Sequence, residues 1–357
     1  MFQHRIQHMF RLIILIASAA LMLAALMGCV NDGGPDDTED SSGRDEPVSA
    51  ELFAMDTYMT LTAYGENAEK ALSESEKEIR RLDAMLSAES EESEISGLNK
   101  AGKKQVSEET FGLIKRAAEI GEDTGGAFDI TIYPVMQAWG FAGQNYRVPE
   151  KAELEERLEH VDVRGIKLDE DDLTVSLGDD MAIDLGGIAK GYTSDRIIAI
   201  MKESGVEHAL VNLGGNVQVL GHKPDGSEWR VAITDPEDEA NYVGGVSVSD
   251  KAVITSGGYQ RFFESGGEKY FHIIDPSDGY PARNGLISVT IVSEDGTLAD
   301  GLSTSLFIMG PDKACDYWRK NADDFDAVLV TDDGSVLVTE GLEDSWFSDR
   351  EYEIIRK

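Results

Sequence analysis

Residues 181–195 read Met181-Ala-Ile-Asp-Leu-Gly-Gly-Ile-Ala-Lys-Gly-Tyr-Thr-Ser-Asp195. The apolar alternation of Ala182 to Leu185 predicts the end of a short strand, and the two glycines that follow break it. A helix is predicted from Ile188 onward, because apolar residues recur there near helical spacing. A strand, a glycine turn and a helix start leave free backbone N–H groups at a point where an anion can bind.

Two side chains of this stretch carry charge. Lys190 adds a compact positive charge suited to phosphate, and Asp184 can accept hydrogen bonds or help to hold a cation. A glycine-rich turn with a solvated lysine explains the stretch alone equally well. The glycine spacing matches neither the Walker loop nor the dinucleotide fingerprint.

Composition narrows the class of ligand. The chain has 357 residues, of which 41% are hydrophobic, and 68 acidic residues against 32 basic ones give a net charge of -36. Nucleic acid is therefore excluded as a partner, since phosphate backbones require clustered Lys and Arg. An acidic protein that binds a phosphorylated ligand needs local basic groups or a divalent cation.

The N-terminus predicts export. Basic residues precede an apolar run that ends at Leu26-Met-Gly-Cys29, which resembles a bacterial lipobox and predicts a signal peptide over residues 1–28 with a lipid on Cys29. Alternatives are an uncleaved anchor or an ordinary signal peptide. Residues 29–50 are rich in Asp, Glu, Gly and Ser and predict an acidic flexible tether. We therefore expect a folded domain over 51–357, lipid-anchored on the extracytoplasmic side of the membrane in a bacterial cell envelope.

Strand-like runs with a few helices between them predict a single strand-rich α+β domain with much antiparallel pairing. Phe53 to Tyr64 alternates and is predicted to be one strand. Helices are predicted over 68–86, 108–121 and 302–309. The one cysteine besides Cys29 is Cys315, which we expect to be a buried apolar side chain.

Polar side chains that suit a cation occur near the C-terminal third. Asp300 and Thr304 are four residues apart, so a helix would place them on one face. A carboxylate with a hydroxyl suits Mg²⁺, which takes few protein ligands and shares phosphate oxygens. The alternative is that both residues cap a helix N-terminus. His272, beside two isoleucines, is by default a structural histidine.

Five stretches carry more glycine and polar identity than a core requires, namely residues 126–131, 181–195, 212–216, 255–261 with 272–281, and 299–304. Seven stretches, five of them within these, carry a resemblance to a known family. They are Met55-Asp-Thr, Ser93-Glu-Ile-Ser-Gly-Leu-Asn99, Gly126-Ala-Phe-Asp129, Asp184-Leu-Gly-Gly-Ile-Ala-Lys-Gly191, Leu213-Gly-Gly-Asn216, His272-Ile-Ile-Asp-Pro276 and Asp300-Gly-Leu-Ser-Thr304. In their number and order they resemble the ApbE family of flavin transferases (FAD:protein FMN transferase). The chain departs from the family pattern at Asp56, where glycine is usual, and at Gly258, where an acidic residue is common.

The resemblance implies a reaction and a site. FAD would be split at its pyrophosphate, and FMN would pass to a Thr or Ser hydroxyl of an acceptor redox protein while AMP leaves. Asp300, Thr304 and the carbonyl of Gly187 match the Mg²⁺ ligands of the family, with Mn²⁺ also possible. His272 and Asp300 are the expected catalytic residues, and His272 would act as a base or orient the phosphates. The residues that match flavin-nucleotide contacts are Met55, Ala127, Phe128, Asp129, Asp184, Lys190 and His272.

The resemblance also implies a single α+β domain of the ApbE type, related to the T-fold. Two other functions remain open. The same site could bind FAD or hydrolyse it to FMN and AMP, with water as the acceptor. A structural surface lipoprotein without a ligand would leave the shared stretches unexplained.

Overall fold

A nine-stranded sheet is the centre of the computed structural model, which describes residues 46–357. Its strand order is β1-β2-β6-β7-β10-β13-β14-β15-β17, and every pair is antiparallel except β15 with β17. Its strands are β1 (Val48–Ala54), β2 (Thr57–Ala63), β6 (Ala209–Leu213), β7 (Asn216–Leu220), β10 (Ala252–Gly257), β13 (Leu286–Ser293), β14 (Asp326–Thr331), β15 (Val336–Thr339) and β17 (Glu353–Ile355).

Three small sheets complete the strands. One pairs β3 (Lys103–Gln105), β5 (Thr174–Ser176) and β4 (Lys167–Asp169); a second pairs β16 (Trp346–Phe347), β9 (Tyr242–Val248) and β8 (Trp229–Thr234). The third is the hairpin of β11 (Phe262–Ser265) and β12 (Glu268–Phe271). The helices are α1 (Ala68–Leu86), α2 (Glu94–Ala101), α3 (Glu108–Asp123), α4 (Tyr133–Trp139), α5 (Lys151–Leu158), α6 (Ala189–Glu203), α7 (Gly296–Met309) and α8 (Pro311–Asn321).

The large sheet is buried on both faces. Successive side chains of β13 and β14 point to opposite faces of the sheet, and they are buried on both. Ile291 and Leu329 belong to the core shared with α7 and α8, whereas Val292 and Val328 belong to the core beneath the β16-β9-β8 sheet. Helices α1 and α6 cover the β1-β2-β6 end of the first face. The predicted α+β class is confirmed.

The predicted single strand over Phe53–Tyr64 is wrong, because the chain turns back at Met55 and Asp56. Both residues have positive φ, 47° and 58°, and Ala54 pairs with Thr57 across them. Two positive-φ residues between paired strands form the type I′ turn that suits the twist of a hairpin. The start of the folded domain is also corrected: β1 begins at Val48, inside the predicted tether, because residues 48–50 pair with β2.

The predicted strand over Ala182–Leu185 is an extended segment outside any sheet. The side-chain amide of Asn99 takes the place of a neighbouring strand. Its Nδ2 donates to the carbonyl of Ile183 and its Oδ1 accepts from the N–H of Ile183, both at 2.8 Å. Asn99 therefore satisfies the backbone of Ile183, while the N–H of Asp184 donates to the carbonyl of Ile130 at 2.8 Å. Apolar alternation does not reveal these partners. The helix predicted next to it is α6.

The expectations for residues 1–28, for Cys29 and for the tether up to residue 45 fall outside the described residues. No helix within residues 46–357 is both long and apolar enough to cross a membrane. Cys315 is buried, as expected.

Candidate active site

A cavity of about 470 Å³ opens where the β1–β2 turn, the starts of α6 and α7, and the ends of the β11–β12 hairpin meet. Its volume lies within the usual range of small-molecule sites. Every residue predicted from the sequence as catalytic, metal-binding or nucleotide-binding lines it. They are Met55, Ala127, Phe128, Asp129, Asp184, Gly187, Lys190, His272, Asp300 and Thr304.

One side of the cavity, which we call the helix wall, consists of Gly187 and Lys190 at the start of α6 and Asp300 and Thr304 on α7. Asp300 is only 4% exposed. Its Oδ2 accepts from the N–H of Gly191 at 2.8 Å, and its Oδ1 accepts from Nδ2 of Asn216 at 3.0 Å. The Asp300 carboxylate therefore satisfies a free N–H in the first turn of α6.

The sequence alternative, in which Asp300 and Thr304 satisfy backbone donors at a helix N-terminus, holds for Asp300, but the helix is α6 and not its own. The N-cap of α7 is Asp295, whose side chain accepts from the N–H of Leu298 at 2.7 Å. Asp300 lies in the second turn of α7 and reaches across to α6. Thr304 follows one turn later on the same face, and its hydroxyl lies 3.3 Å from the hydroxyl of Ser256.

The helix wall fits a hard cation. Burial raises the pKa of Asp300, which Lys190 and the donors from Gly191 and Asn216 oppose. Each carboxylate oxygen has one hydrogen bond and keeps a lone pair for another partner. A buried carboxylate next to a hydroxyl and an open glycine turn is a sparse oxygen set of the kind that Mg²⁺ uses with substrate phosphates. Residues 46–357 contain no cluster of three or more His, Cys, Asp or Glu side chains that could hold a metal ion.

The opposite side, which we call the hairpin wall, consists of Arg261 before β11 and His272 after β12. The backbone N–H of His272 donates to the carbonyl of Arg261 at 3.2 Å, and Nδ1 of His272 lies 3.2 Å from the same oxygen. Burial, followed by the charges of Arg261 and Lys190, lowers the pKa of His272 to about 4. The imidazole is thus neutral at pH 7 and can accept a proton.

Asp184 and Phe128 lie at the turn before α6. Oδ1 of Asp184 accepts from the N–H of Gly186 at 2.8 Å. Burial raises the pKa of Asp184, while the Gly186 N–H and the charge of Arg261 oppose the rise. A Cβ on Gly187 would lie 2.9 Å from the Phe128 ring. The turn therefore needs glycine at this position to keep its backbone against the ring.

Asp129 lines the cavity, but both of its oxygens are engaged within the protein. Oδ1 accepts from the N–H and the hydroxyl of Thr131 at 2.8 and 2.5 Å, and Oδ2 accepts from the N–H of Val163 at 2.9 Å. Its carboxylate caps the short helix Ile130–Ile132. A direct contact between Asp129 and a nucleotide stays a prediction.

Among the polar residues of the cavity that the sequence reasoning did not assign to the site are Arg261, Asn216 and Glu89. Arg261 and Asn216 lie in glycine-rich stretches, which was the available signal. Glu89 had no such signal; its Oε1 accepts from the N–H of Gly143 at 2.7 Å. Of the two departures from the family pattern, Asp56 lines the cavity and Gly258 does not.

Comparison with known proteins places this geometry among flavin transferases. Residues 55–329 match the model of the ApbE family. An FAD:protein FMN transferase of Klebsiella pneumoniae is 35% identical over 266 residues, which are 73% of this chain and 82% of that protein. One from Treponema pallidum is 34% identical over 287 residues, 74% of this chain and 78% of that protein. The crystal structure of the ApbE protein of Thermotoga maritima superposes with a TM-score of 0.79 at 33% identity, covering 86% of this chain and all of that one.

Proposed function

The chain belongs to the ApbE family and is an enzyme that transfers FMN from FAD to protein, and on that premise we propose the course of its reaction. The acceptor is a Thr or Ser hydroxyl of a flavin-dependent redox protein. The observation that carries the proposal is that Asp300, Lys190 and His272 converge on one cavity.

The transfer exchanges a phosphoanhydride bond for a phosphoester bond. The acceptor oxygen bonds to the phosphorus on the FMN side of the pyrophosphate. The bond from that phosphorus to the bridging oxygen breaks, and AMP leaves with the bridging oxygen. The hydroxyl proton passes to a base, and the leaving phosphate takes up a proton from solvent at acidic pH. Such a reaction depends mainly on positioning and on charge stabilisation.

The residues of the helix wall bind the pyrophosphate. Lys190 has no ion-pair partner in the part of the chain that the structure describes, and its ammonium can contact phosphate oxygens. Asp300, Thr304 and the carbonyl of Gly187 would hold Mg²⁺, or Mn²⁺ in its place. A divalent cation bound there neutralises phosphate charge, which a chain of net charge -36 otherwise repels.

The hairpin wall contributes His272, which accepts the proton of the acceptor hydroxyl. His272 is neutral at pH 7, because burial and the neighbouring cations hold its pKa near 4. Its Nδ1 is hydrogen-bonded to the Arg261 carbonyl. Nε2 is therefore the nitrogen that accepts the proton of the acceptor hydroxyl. Met55, Ala127, Phe128 and Asp184 line the remaining cavity and are proposed to contact the flavin nucleotide.

The decisive experiment uses the purified protein with FAD, Mg²⁺ and a flavin-accepting redox subunit. Mass spectrometry of the subunit should show added FMN on a Thr or Ser, and AMP should appear in equal amount. EDTA should stop the reaction and excess Mg²⁺ restore it. Release of free FMN and AMP with no modified subunit would instead support the hydrolase alternative.

We also propose that Cys29 carries a lipid that anchors the enzyme on the extracytoplasmic side of the membrane. The support is the lipobox-like Leu26-Met-Gly-Cys29 at the end of the apolar run. Several acyl chains hold a protein firmly, whereas one binds only marginally. Cys29→Ala should move the protein to the soluble fraction of lysed cells, and a variant that stays with the membranes would contradict the anchor.

A further inference from the structure

The β11–β12 hairpin is bounded by two residues of the cavity. Arg261 immediately precedes β11 and His272 immediately follows β12. Phe262 pairs with Phe271 at the base of the hairpin, so the two residues outside this pair are held side by side. Both line the cavity, yet only His272 carries a predicted role.

We propose that Arg261 is a positioning residue for the transfer step: its carbonyl fixes the tautomer of the His272 ring, and its guanidinium, bound to the Phe141 carbonyl, holds that backbone in place. The proposal rests on the proposed function, in which His272 accepts the proton of the acceptor hydroxyl. Arg261 acts through His272 and is assigned no bond to the reacting atoms.

The carbonyl determines which ring nitrogen carries the proton. The Arg261 oxygen lies 3.2 Å from both the backbone nitrogen and Nδ1 of His272. A carbonyl oxygen only accepts hydrogen bonds, so Nδ1 must be the protonated nitrogen of the neutral ring. Nε2 then keeps its lone pair, and it has no hydrogen-bond partner among residues 46–357. The tautomer follows from this bonding partner.

The guanidinium is held at a defined place. Its Nη2 donates to the carbonyl of Phe141 at 2.5 Å, and the Phe141 ring packs 6.5 Å from the His272 ring. The hairpin is braced by aromatic stacking, with Phe263 5.2 Å from Tyr146 and 5.3 Å from Tyr270 between ring centroids. The guanidinium is therefore bound to the residue whose ring packs against His272.

Charges around His272 come from both walls. Arg261 on the hairpin wall and Lys190 on the helix wall both disfavour the imidazolium, after burial, and so lower the pKa of His272. Asp184 and Asp300 are carboxylates of the same cavity, and burial raises the pKa of both. Arg261 and Lys190 oppose the rise at Asp184, and Lys190 opposes it at Asp300. Arg261 is the larger of the two cationic influences on His272, which makes it the side chain to remove.

The test is a nitrogen NMR titration of the full chain, ¹⁵N-labelled at its six histidines. Loss of a signal in His272→Gln assigns His272. His160 and His208 are internal references. Their Nδ1 atoms are also within hydrogen-bond distance of backbone carbonyl oxygens, but these hydrogen bonds are at the exposed surface. We expect His272 at pH 7 to be neutral, with the proton on Nδ1. Arg261→Met cannot donate to Phe141, so its His272 ring should lose the single tautomer and carry part of the proton on Nε2. Arg261→Lys can still donate and should keep the proton on Nδ1.

The matched control is Arg283→Met. Arg283 donates to the carbonyl of Lys269 on the same hairpin but does not line the cavity. A proton on Nε2 in the wild type, or the same share of Nδ1 proton in Arg261→Met as in Arg283→Met, would overturn the proposal. Arg261→Gln is uncharged but can still donate to Phe141 and should keep the tautomer. The wild-type spectrum alone tests the role of the carbonyl, should Arg261→Met fold poorly.

Kinetics separate positioning from substrate binding. Arg261→Met frees the backbone that orients His272, so kcat for transfer should fall by about tenfold, while the KM for FAD should stay within twofold of wild type. A raised KM with unchanged kcat would make Arg261 a phosphate contact and contradict the positioning role. If the wild type transfers no FMN, the proposed function fails, whereas the NMR titration still decides whether Arg261 controls His272.

Discussion

The two walls of the cavity are built in different ways. On the helix wall the site residues also hold the fold together: Asp300 binds the start of α6, and Asp195 on α6 accepts from Gly296 and Thr297 at the start of α7, at 2.9 and 2.8 Å. On the hairpin wall, aromatic stacking fixes the hairpin, and His272 and Arg261 contribute side chains at its ends.

This difference separates chemistry from stability. A buried carboxylate that satisfies backbone donors cannot be removed without leaving those donors unpaired. The His272 ring makes no hydrogen bond that folding requires, so a polar side chain of similar size can replace it without loss of stability. We therefore expect helix-wall substitutions to lower both activity and stability, and hairpin-wall substitutions to lower activity alone.

Asp300→Ala should have the largest effect. Transfer should be abolished, because the proposed cation loses its only carboxylate ligand. The unfolding free energy should also fall by about 1–3 kcal/mol, since Gly191 and Asn216 lose a buried acceptor. Thermal unfolding and the FMN-transfer assay measure both effects.

The control for Asp300→Ala is Asp295→Ala on the same helix. It removes the N-cap of α7 and should cost about 1 kcal/mol while transfer continues. Mg²⁺ should raise the unfolding temperature of the wild type and of Asp295→Ala but not of Asp300→Ala. Normal transfer by Asp300→Ala in EDTA-treated buffer would contradict a role for a metal ion bound at Asp300.

His272→Gln tests the hairpin wall. The rate of transfer should fall by about 10²–10⁴-fold, as expected on loss of a general base. FAD affinity and unfolding temperature should match the wild type, and His208→Gln at the surface is the control. A large loss of stability in His272→Gln would erase the distinction between the walls.

Lys190→Ala should have an intermediate effect. Removal of a charged phosphate contact should weaken FAD binding by about 1.5–3 kcal/mol. Lys202→Ala, in the last turn of the same helix, is the matched control. Calorimetric titration with FAD measures both affinities, and equal values would exclude the phosphate contact.

Asp56→Gly should have the smallest effect, at the turn between β1 and β2. Glycine adopts positive φ without steric cost, so stability should rise by a few tenths to about 1 kcal/mol. FMN transfer should change little, because the Asp56 side chain is exposed. A drop in unfolding temperature would show that the Asp56 carboxylate makes a stabilising contact of its own.

Sequence reasoning located the cavity because its glycine-rich stretches lie in loops that the fold brings together. Spacing showed that Asp300 and Thr304 share a helix face, but it could not show that Asp300 binds Gly191, a residue 109 positions away. Arg261 lay in a noted stretch, yet a loop pattern does not tell which side chain turns inward. The strand at 182–185 was wrong because Asn99, a side chain distant in sequence, bonds to that backbone.

The contact of α6 with α7 at Gly191 sets a limit on how the site can vary. A Cβ on Gly191 would lie 2.6 Å from Cβ of Asp300 and would also collide with the backbone of Gly296. The distance between the start of α6 and the Asp300 carboxylate is thus fixed by direct contact of the two helices. Loops around the cavity can diverge and change which acceptor enters, while this spacing stays constant as long as Gly191 is kept.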